Sequence, residues 1–199
     1  GGRFVLGLAG GDRPSEYPAF GKEFDNRAER FQENWQVIRR LTEQSFPRFG
    51  TEHGGSFFGN LDLVPKPVQG RLPMMTVGRA RQDLRWIANE SDGWLWYSAD
   101  LPRLRSLMAE LERLNESGIW RPFGTCNFVE LLEDASAPLQ VFNSIYLRGG
   151  SRALSDFYAQ QAEAGVAHVT ANLKPTRRPP LETMQDFLEN IVPQFRAGA

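Results

Sequence analysis

Five short apolar runs, each followed by a segment with helical periodicity, constrain this chain more than any other feature. They are Phe4-Val5-Leu6-Gly7-Leu8-Ala9, Pro73 to Val77, Gly93-Trp94-Leu95-Trp96-Tyr97, Phe123 to Leu132, and His168-Val169-Thr170-Ala171-Asn172-Leu173. Nearly continuous apolar strands are what a parallel sheet covered on both faces demands. After the first run, Asp25 or Asn26 is placed to cap a helix that carries Phe31, Trp35, Ile38 and Leu41/Thr42 at three- and four-residue spacing and stops at Ser45-Phe46-Pro47. Gly78 opens a helix that ends near Asn89, and Leu104, Leu107, Met108, Leu111 and Leu114 mark one stripe of a helix from about Leu101 to Glu116. Ser151 to Ala164 and Pro180 to Phe195 read as two more, with Pro180 suited to a first turn. Strand-helix alternation of this kind predicts an α/β fold with right-handed crossovers. Two architectures satisfy it: a doubly wound open sheet, or the greater part of a (β/α)8 barrel without its first three units.

At 199 residues, 41% of them hydrophobic, the chain is expected to form a single domain over 1–199 with a sizeable core. Between Arg48 and Arg71 the rhythm breaks into Gly50, Gly54, Gly55, Phe57, Phe58, Gly59, Pro65 and Pro67, which reads as a loop insertion holding at most a short hairpin. Lys and Arg number 23 against 24 Asp and Glu, and the basic residues are scattered, so neither nucleic acid nor an anionic membrane is an expected partner. One cysteine, Cys126, and two distant histidines, His53 and His168, exclude a disulfide scaffold and a zinc finger, and no metal site is expected. There is no apolar run of about 18 residues and no signal-peptide pattern, so a cytoplasmic protein is expected. The chain starts Gly1-Gly2 without methionine and enters a strand-like run at Phe4, which suggests further sequence upstream. No Gly-x-Ser-x-Gly elbow, P-loop or Gly-x-Gly-x-x-Gly follows a strand, so hydrolase, NTPase and Rossmann readings lack their motif.

The opening GGRFVLGLAGGDRPSEYPAFGKEFDNRAERFQENWQVIRRL resembles the fourth βα unit of the luciferase-like flavin-dependent monooxygenases, with a Gly-Arg-Phe entry, a Gly-x-x-x-Gly strand exit, an Ala-Phe-Gly turn and an Arg-x-Glu-Arg-Phe helix start. PKPVQGRLPMMTVGRARQDLRWIANESDGWLWY and RGGSRALSDFYAQQAEAGVAHVTANL are similar to that family's following units in the same order, so the resemblance covers nearly the whole chain and looks closest to the bacterial luciferase-type oxidoreductase branch. It implies a TIM (β/α)8 barrel of the bacterial luciferase type, of which this chain carries about strands four to eight. It also implies FMN or another reduced flavin as cofactor and a reaction with O2 that oxygenates a small organic substrate. The same fold serves deazaflavin-dependent oxidoreductases, and a noncatalytic flavin-binding or oligomerising protein derived by truncation is the alternative of a different class. The family's catalytic residues on the first three strands have no counterpart here, so no general acid or base is named. Relatives pair through barrel helices, and a homodimer through the apolar stripe from Phe31 to Leu41 is expected.

In such barrels ligands bind at the C-terminal strand ends. There Ala9, Gly10 and Gly11 offer no side chain larger than a methyl, so backbone can approach a flat ring closely; a plain tight turn is the alternative. By resemblance this stretch lies beside the isoalloxazine. In Gly78-Arg79-Ala80-Arg81-Gln82, N–H groups at a helix start and two guanidinium groups would suit a phosphate, unless the arginines are solvated or pair with Glu90 or Asp83. The resemblance places the FMN phosphate in this loop. Tyr97 and Ser98 sit where relatives contact the flavin ring, while Trp94 reads as packing. Asn172, with Lys174, lies near a strand end and is a candidate for the substrate pocket or for loop capping. His53 lies in the insertion, which would lie over the barrel mouth, where it is a candidate to act as acid or base or to contact substrate, or else a solvent-exposed loop histidine, whereas His168 and Cys126 read as structural.

Overall fold

The computed structural model describes residues 2–97 and 100–195. The chain divides into two compact units, Gly1–Trp94 and Leu95–Ala199.

The first unit runs β1 (Leu6–Leu8), a 3-10 turn over Pro14–Phe20, α1 (Arg27–Glu43), β2 (Arg48–Gly50), β3 (Ser56–Phe58), β4 (Met74–Val77) and α2 (Leu84–Glu90), and enters β5 (Gly93–Trp96). β1 pairs in parallel with β4, Leu6 opposite Met74 and Leu8 opposite Thr76, and β4 neighbours β5. α1 closes one face of this sheet: Phe31 and Trp35 are buried with Met74, and Leu6, Leu8, Ile38, Leu72, Ala80 and Trp86 pack around them. Each such aromatic side chain contributes about 1.5–3 kcal/mol by leaving water. The stripe expected to form a dimer contact is therefore occupied inside the unit. At the far end of α1 the Arg39 guanidinium, almost fully buried, bonds the Leu72 carbonyl at 2.6 Å and the Asp92 carboxylate.

The insertion does contain a hairpin, β2 antiparallel to β3, with Phe49 stacked on Phe57 at 4.6 Å. Its placement differs from expectation. The Glu33 carboxylate on α1 accepts from the Glu52 and His53 N–H groups at 3.1 and 2.7 Å, and Lys66 Nζ donates to the Leu41 and Gln44 carbonyls at 2.8 and 2.7 Å. These anchors tie the insertion along α1 to its C-terminal end, which is the end remote from the exit of β1. Free carbonyls at a helix C-terminus attract a cation, and that holds the loop there instead of over the strand ends.

The second unit continues through α3 (Leu101–Leu114), β6 (Phe123–Leu131), β7 (Gln140–Phe142), β8 (Tyr146–Gly149), α4 (Ser151–Glu163), β9 (Val166–Asn172), α5 (Pro180–Asn190) and a 3-10 turn over Val192–Phe195. β6 is its axis, pairing in parallel with β9 from Phe123 to Phe128 and with β8 from Phe128 to Leu131; β7 runs antiparallel to β8. Val129, Leu131 and Leu147 are buried beneath Leu154, Phe157 and Tyr158 of α4, with Ile191 closing the cluster. β7 and β8 are additions to the expected five strands. They are joined by a three-residue loop, 143–145, in which Asn143 and Ser144 take φ of 49° and 56° and Ile145 N–H bonds the Phe142 carbonyl at 3.2 Å. The last helix ends at Asn190, before Pro193, which has no N–H to continue the ladder. The outer edges of β1 and β9 have no partner strand, and no closed barrel forms, among the described residues.

Candidate functional site

In the first unit two strand exits meet. At the exit of β1, a methyl built on Gly10 would lie 3.4 Å from the Ala80 Cα, so the glycine leaves a methyl-sized space between this exit and the turn after β4. Gly11 takes φ of 74°, and the Tyr17 hydroxyl donates to the Gly10 carbonyl, fixing this ledge from below.

At the exit of β4, Gly78 has φ of 65° and is followed by a tight turn from Arg79 to Gln82, closed by Gln82 N–H on the Arg79 carbonyl at 2.7 Å. Its central residues, Ala80 and Arg81, have φ of 45° and 63°. Such turns normally carry glycine or asparagine there, and a left-handed conformation costs an ordinary residue about 1–2 kcal/mol. The turn persists because it is over-determined. The buried Gln82 amide donates to the Ala28 and Ala80 carbonyls at 3.1 and 3.0 Å and accepts from Gln32, while the Trp94 indole N–H donates to the Gly78 carbonyl at 2.6 Å. Strain held in this manner clusters at ligand sites.

Several placements depart from the sequence reading. α2 starts at Leu84 and not directly after Gly78, and its N-terminus is closed by Asp83, whose carboxylate accepts from Trp86 N–H at 2.7 Å. The helix N-terminus is thus set back from this exit, which carries the turn and the exposed Arg79 and Arg81. Gln82 is a buried brace, not an open ligand group. His53 is pinned to Glu33 on α1, and its N–H is the main influence holding the Glu33 carboxyl below the usual range. Trp94, read as packing, turns out to support the turn, and Tyr17 supports the ledge; these partners are 16 and 7 residues from the atoms they hold, so no local motif announces them.

In the second unit, Tyr97 is half-exposed and tilted against Trp96 at 5.2 Å, and Ser98 lies outside the described residues. Asn172 ends β9 opposite Phe128 and its Oδ1 accepts from Lys174 N–H at 3.1 Å, so its side chain caps the loop. His168 is the third residue of β9, exposed opposite Gly124 beside an apolar cavity of about 390 Å³ lined by Tyr158, Val169, Phe187 and Ile191. Cys126 is partly buried, and this burial raises its thiol above the ordinary pKa. No cluster of three or more metal-type side chains, and no helix long and apolar enough to cross a membrane, occurs among the described residues.

A family model described as luciferase-like monooxygenase matches residues 1–183. An uncharacterized protein of Mycobacterium tuberculosis is 31% identical over 125 residues, 62% of this chain and 42% of that protein. The chain thus matches less than half the length of this curated relative. Among solved structures, a monooxygenase from Streptomyces bottropensis superposes with a TM-score of 0.75 at 14% identity, over 98% of this chain and 70% of that one. The coenzyme F420 dependent tetrahydromethanopterin reductase of Methanopyrus kandleri gives 0.76 at 12% identity, over 98% and 75%. At these identities the likeness is one of fold.

Proposed function

Because the chain belongs to the luciferase-like monooxygenase family, we propose that the Ala9–Gly11 ledge and the Gly78–Gln82 turn form the flavin-binding part of a monooxygenase that uses reduced flavin and O2 on a small organic substrate. The observation that carries this reading is the placing of Gly10 within one methyl's reach of the strained turn of Ala80 and Arg81. A flat ring is favoured by a surface without large side chains and a phosphate by guanidinium charge; the glycine ledge beside a turn that carries Arg79 and Arg81 supports the reading on both counts. The residues therefore fit FMN. When bound, the reduced flavin supplies the electrons with which O2 is activated and one oxygen atom passes to the substrate.

The protein's own contribution here is binding and orientation. Gly10 and Gly11 allow backbone approach, Tyr17 and Trp94 hold the two carbonyls that set the ledge and the turn, and Arg79 and Arg81 supply charge-assisted bonds to a phosphate. A second reading, in which a deazaflavin takes the place of FMN, is favoured by the fold likeness to a coenzyme F420 dependent reductase.

The test is a fluorescence titration of FMN, riboflavin and a deazaflavin into the protein. Saturable binding with FMN preferred over riboflavin supports the phosphate assignment, and preference for the deazaflavin supports the second reading. The Arg79→Ala, Arg81→Ala double variant is expected to bind FMN roughly tenfold to a hundredfold more weakly, as loss of one or two charge-assisted hydrogen bonds predicts. Unchanged affinity would remove both arginines from the site.

A further inference from the structure

The sheet of the second unit has a face that neither its core nor the flavin reading uses. Pairing puts Phe128 beside Tyr146 and Glu130 beside Arg148, and sets Phe142 and Gln140 of β7 against Tyr146 and Arg148. Paired residues share a face. Since Val129, Leu131 and Leu147 point into the core under α4, these six side chains project from the opposite side. They lie near the C-terminal ends of β6 and β8, where parallel sheets bind ligands.

The face is chemically organised. Glu130 Oε2 accepts from the Tyr146 hydroxyl and from Arg148 Nε at 3.1 Å, and Arg148 Nη1 donates to Gln140 at 3.1 Å. These bonds orient the guanidinium plane and use two of its five N–H donors. A second cation stands close by. The Thr176 hydroxyl donates to the Val129 carbonyl at 2.9 Å and accepts from Leu131 N–H at 3.0 Å, which pins the loop after β9 to β6 on either side of Glu130. Arg177 follows directly, near enough for its charge to act on Tyr146. Arg177 is exposed and makes no hydrogen bond or ion pair among the described residues. Arg148 binds Glu130 directly and Arg177 follows the pinned Thr176, so two guanidinium groups stand against one carboxylate on this part of the unit, an excess of one positive charge. Phe128 and Phe142 remain 39% and 45% exposed beside it, with Phe142 against Tyr146 at 5.5 Å.

We propose that this face, built from Phe128, Glu130, Phe142, Tyr146, Arg148 and Arg177, is a binding site for an organic carboxylate with an apolar or aromatic body. The planar guanidinium fork matches a carboxylate, Glu130 and Tyr146 hold Arg148 in position, and the phenyl rings receive the body of the ligand. Glu130 also repels a dianion, which favours a monoanion over inorganic phosphate. The inference does not depend on flavin binding.

The experiment titrates benzoate, benzamide and inorganic phosphate into 15N-labelled protein and follows the arginine Nε–H resonances. Benzoate is expected to shift Arg148 and Arg177 saturably, with benzamide and phosphate binding at least about tenfold more weakly, the equivalent of one charge-assisted hydrogen bond. Arg177→Gln should weaken benzoate by a similar factor at unchanged melting temperature, because this side chain holds nothing else. Arg148→Gln should abolish binding. Absence of saturable shifts, equal shifts with benzamide or phosphate, or benzoate affinity untouched by Arg177→Gln would each overturn the assignment.

Discussion

Gly10 faces Ala80 across the two strand exits with room for one methyl, a Cβ built on the first falling 3.4 Å from the Cα of the second. That distance is ordinary van der Waals contact, so a methyl fits and a branched side chain does not. Gly10→Ala is expected to leave stability and FMN affinity nearly unchanged. Gly10→Val should displace the turn at 79–82 and weaken FMN binding by at least about tenfold while lowering stability by roughly 1–3 kcal/mol. Fluorescence titration beside thermal unfolding separates these outcomes, and equal behaviour of the two variants would show that the contact does not position the site.

Ala80 sits at φ of 45° although it is not glycine. Asparagine tolerates the left-handed region and a β-branched residue does not. Ala80→Asn should keep both the fold and the flavin affinity, whereas Ala80→Val should cost about 1–2 kcal/mol and lose affinity with it. Denaturant titration of the pair checks the first half of this expectation, and FMN titration the second. If valine is as well tolerated as asparagine, the turn has an easier alternative conformation.

The strands and helices were legible wherever an apolar run or stripe was long enough to dominate its surroundings. Phe31, Trp35 and Ile38 marked α1, and Val129 and Leu131 marked β6, because burial of these side chains determines the elements. β7 and β8 were not legible: each has three or four residues, and Gln140, Tyr146 and Arg148 show no apolar period of their own, since they face away from the core. The strand-exit ledge could be read from Gly10 and Gly11 because missing side chains are a local property. The strain at Ala80 and Arg81 could not, because the residues that enforce it, Gln32, Ala28 and Trp94, come from other elements. The path of the insertion likewise depended on Glu33 and Lys66 finding backbone partners about twenty residues away.

Gly150 precedes α4 against the backbone of the 134–137 loop. A Cβ there would lie 2.3 Å from the Asp134 carbonyl oxygen and 2.5 Å from the Ala135 carbonyl carbon. The loop is strapped in place by Gly150 N–H on the Ala137 carbonyl at 3.0 Å and Arg152 N–H on the Ala135 carbonyl at 3.1 Å, so it cannot withdraw without losing these bonds. Gly150→Ala should therefore destabilise the protein by about 2–3 kcal/mol, the upper range for overpacking. Chemical denaturation gives the value; a loss below roughly 0.5 kcal/mol would mean that the loop yields freely.

Asp92 links three parts of the first unit, accepting from Arg39, from Arg71 at 2.8 Å and from Met74 N–H at 2.8 Å. Burial alone would raise its carboxyl, but the bonds from Arg39, Met74 and Arg71 outweigh it and hold the pKa below the ordinary carboxylate value. A carboxylate depressed in the folded state stabilises fully above its unfolded pKa of about 3.9 and loses that contribution as pH falls through the folded value. Asp92→Asn leaves Arg39 with only Glu43, at 3.5 Å, as counter-charge and should cost roughly 1–2 kcal/mol at pH 7, less than a fully buried pair because Asp92 is partly exposed. The deficit should begin to shrink as pH falls below about 3.9 and close only below the depressed folded pKa, where the parent too carries a protonated Asp92. Urea unfolding at pH 7, 5 and 3 tests both the size and the sign: a deficit that stays constant down to pH 3 would show that the charge of Asp92 contributes nothing and that its hydrogen bonds act through shape alone.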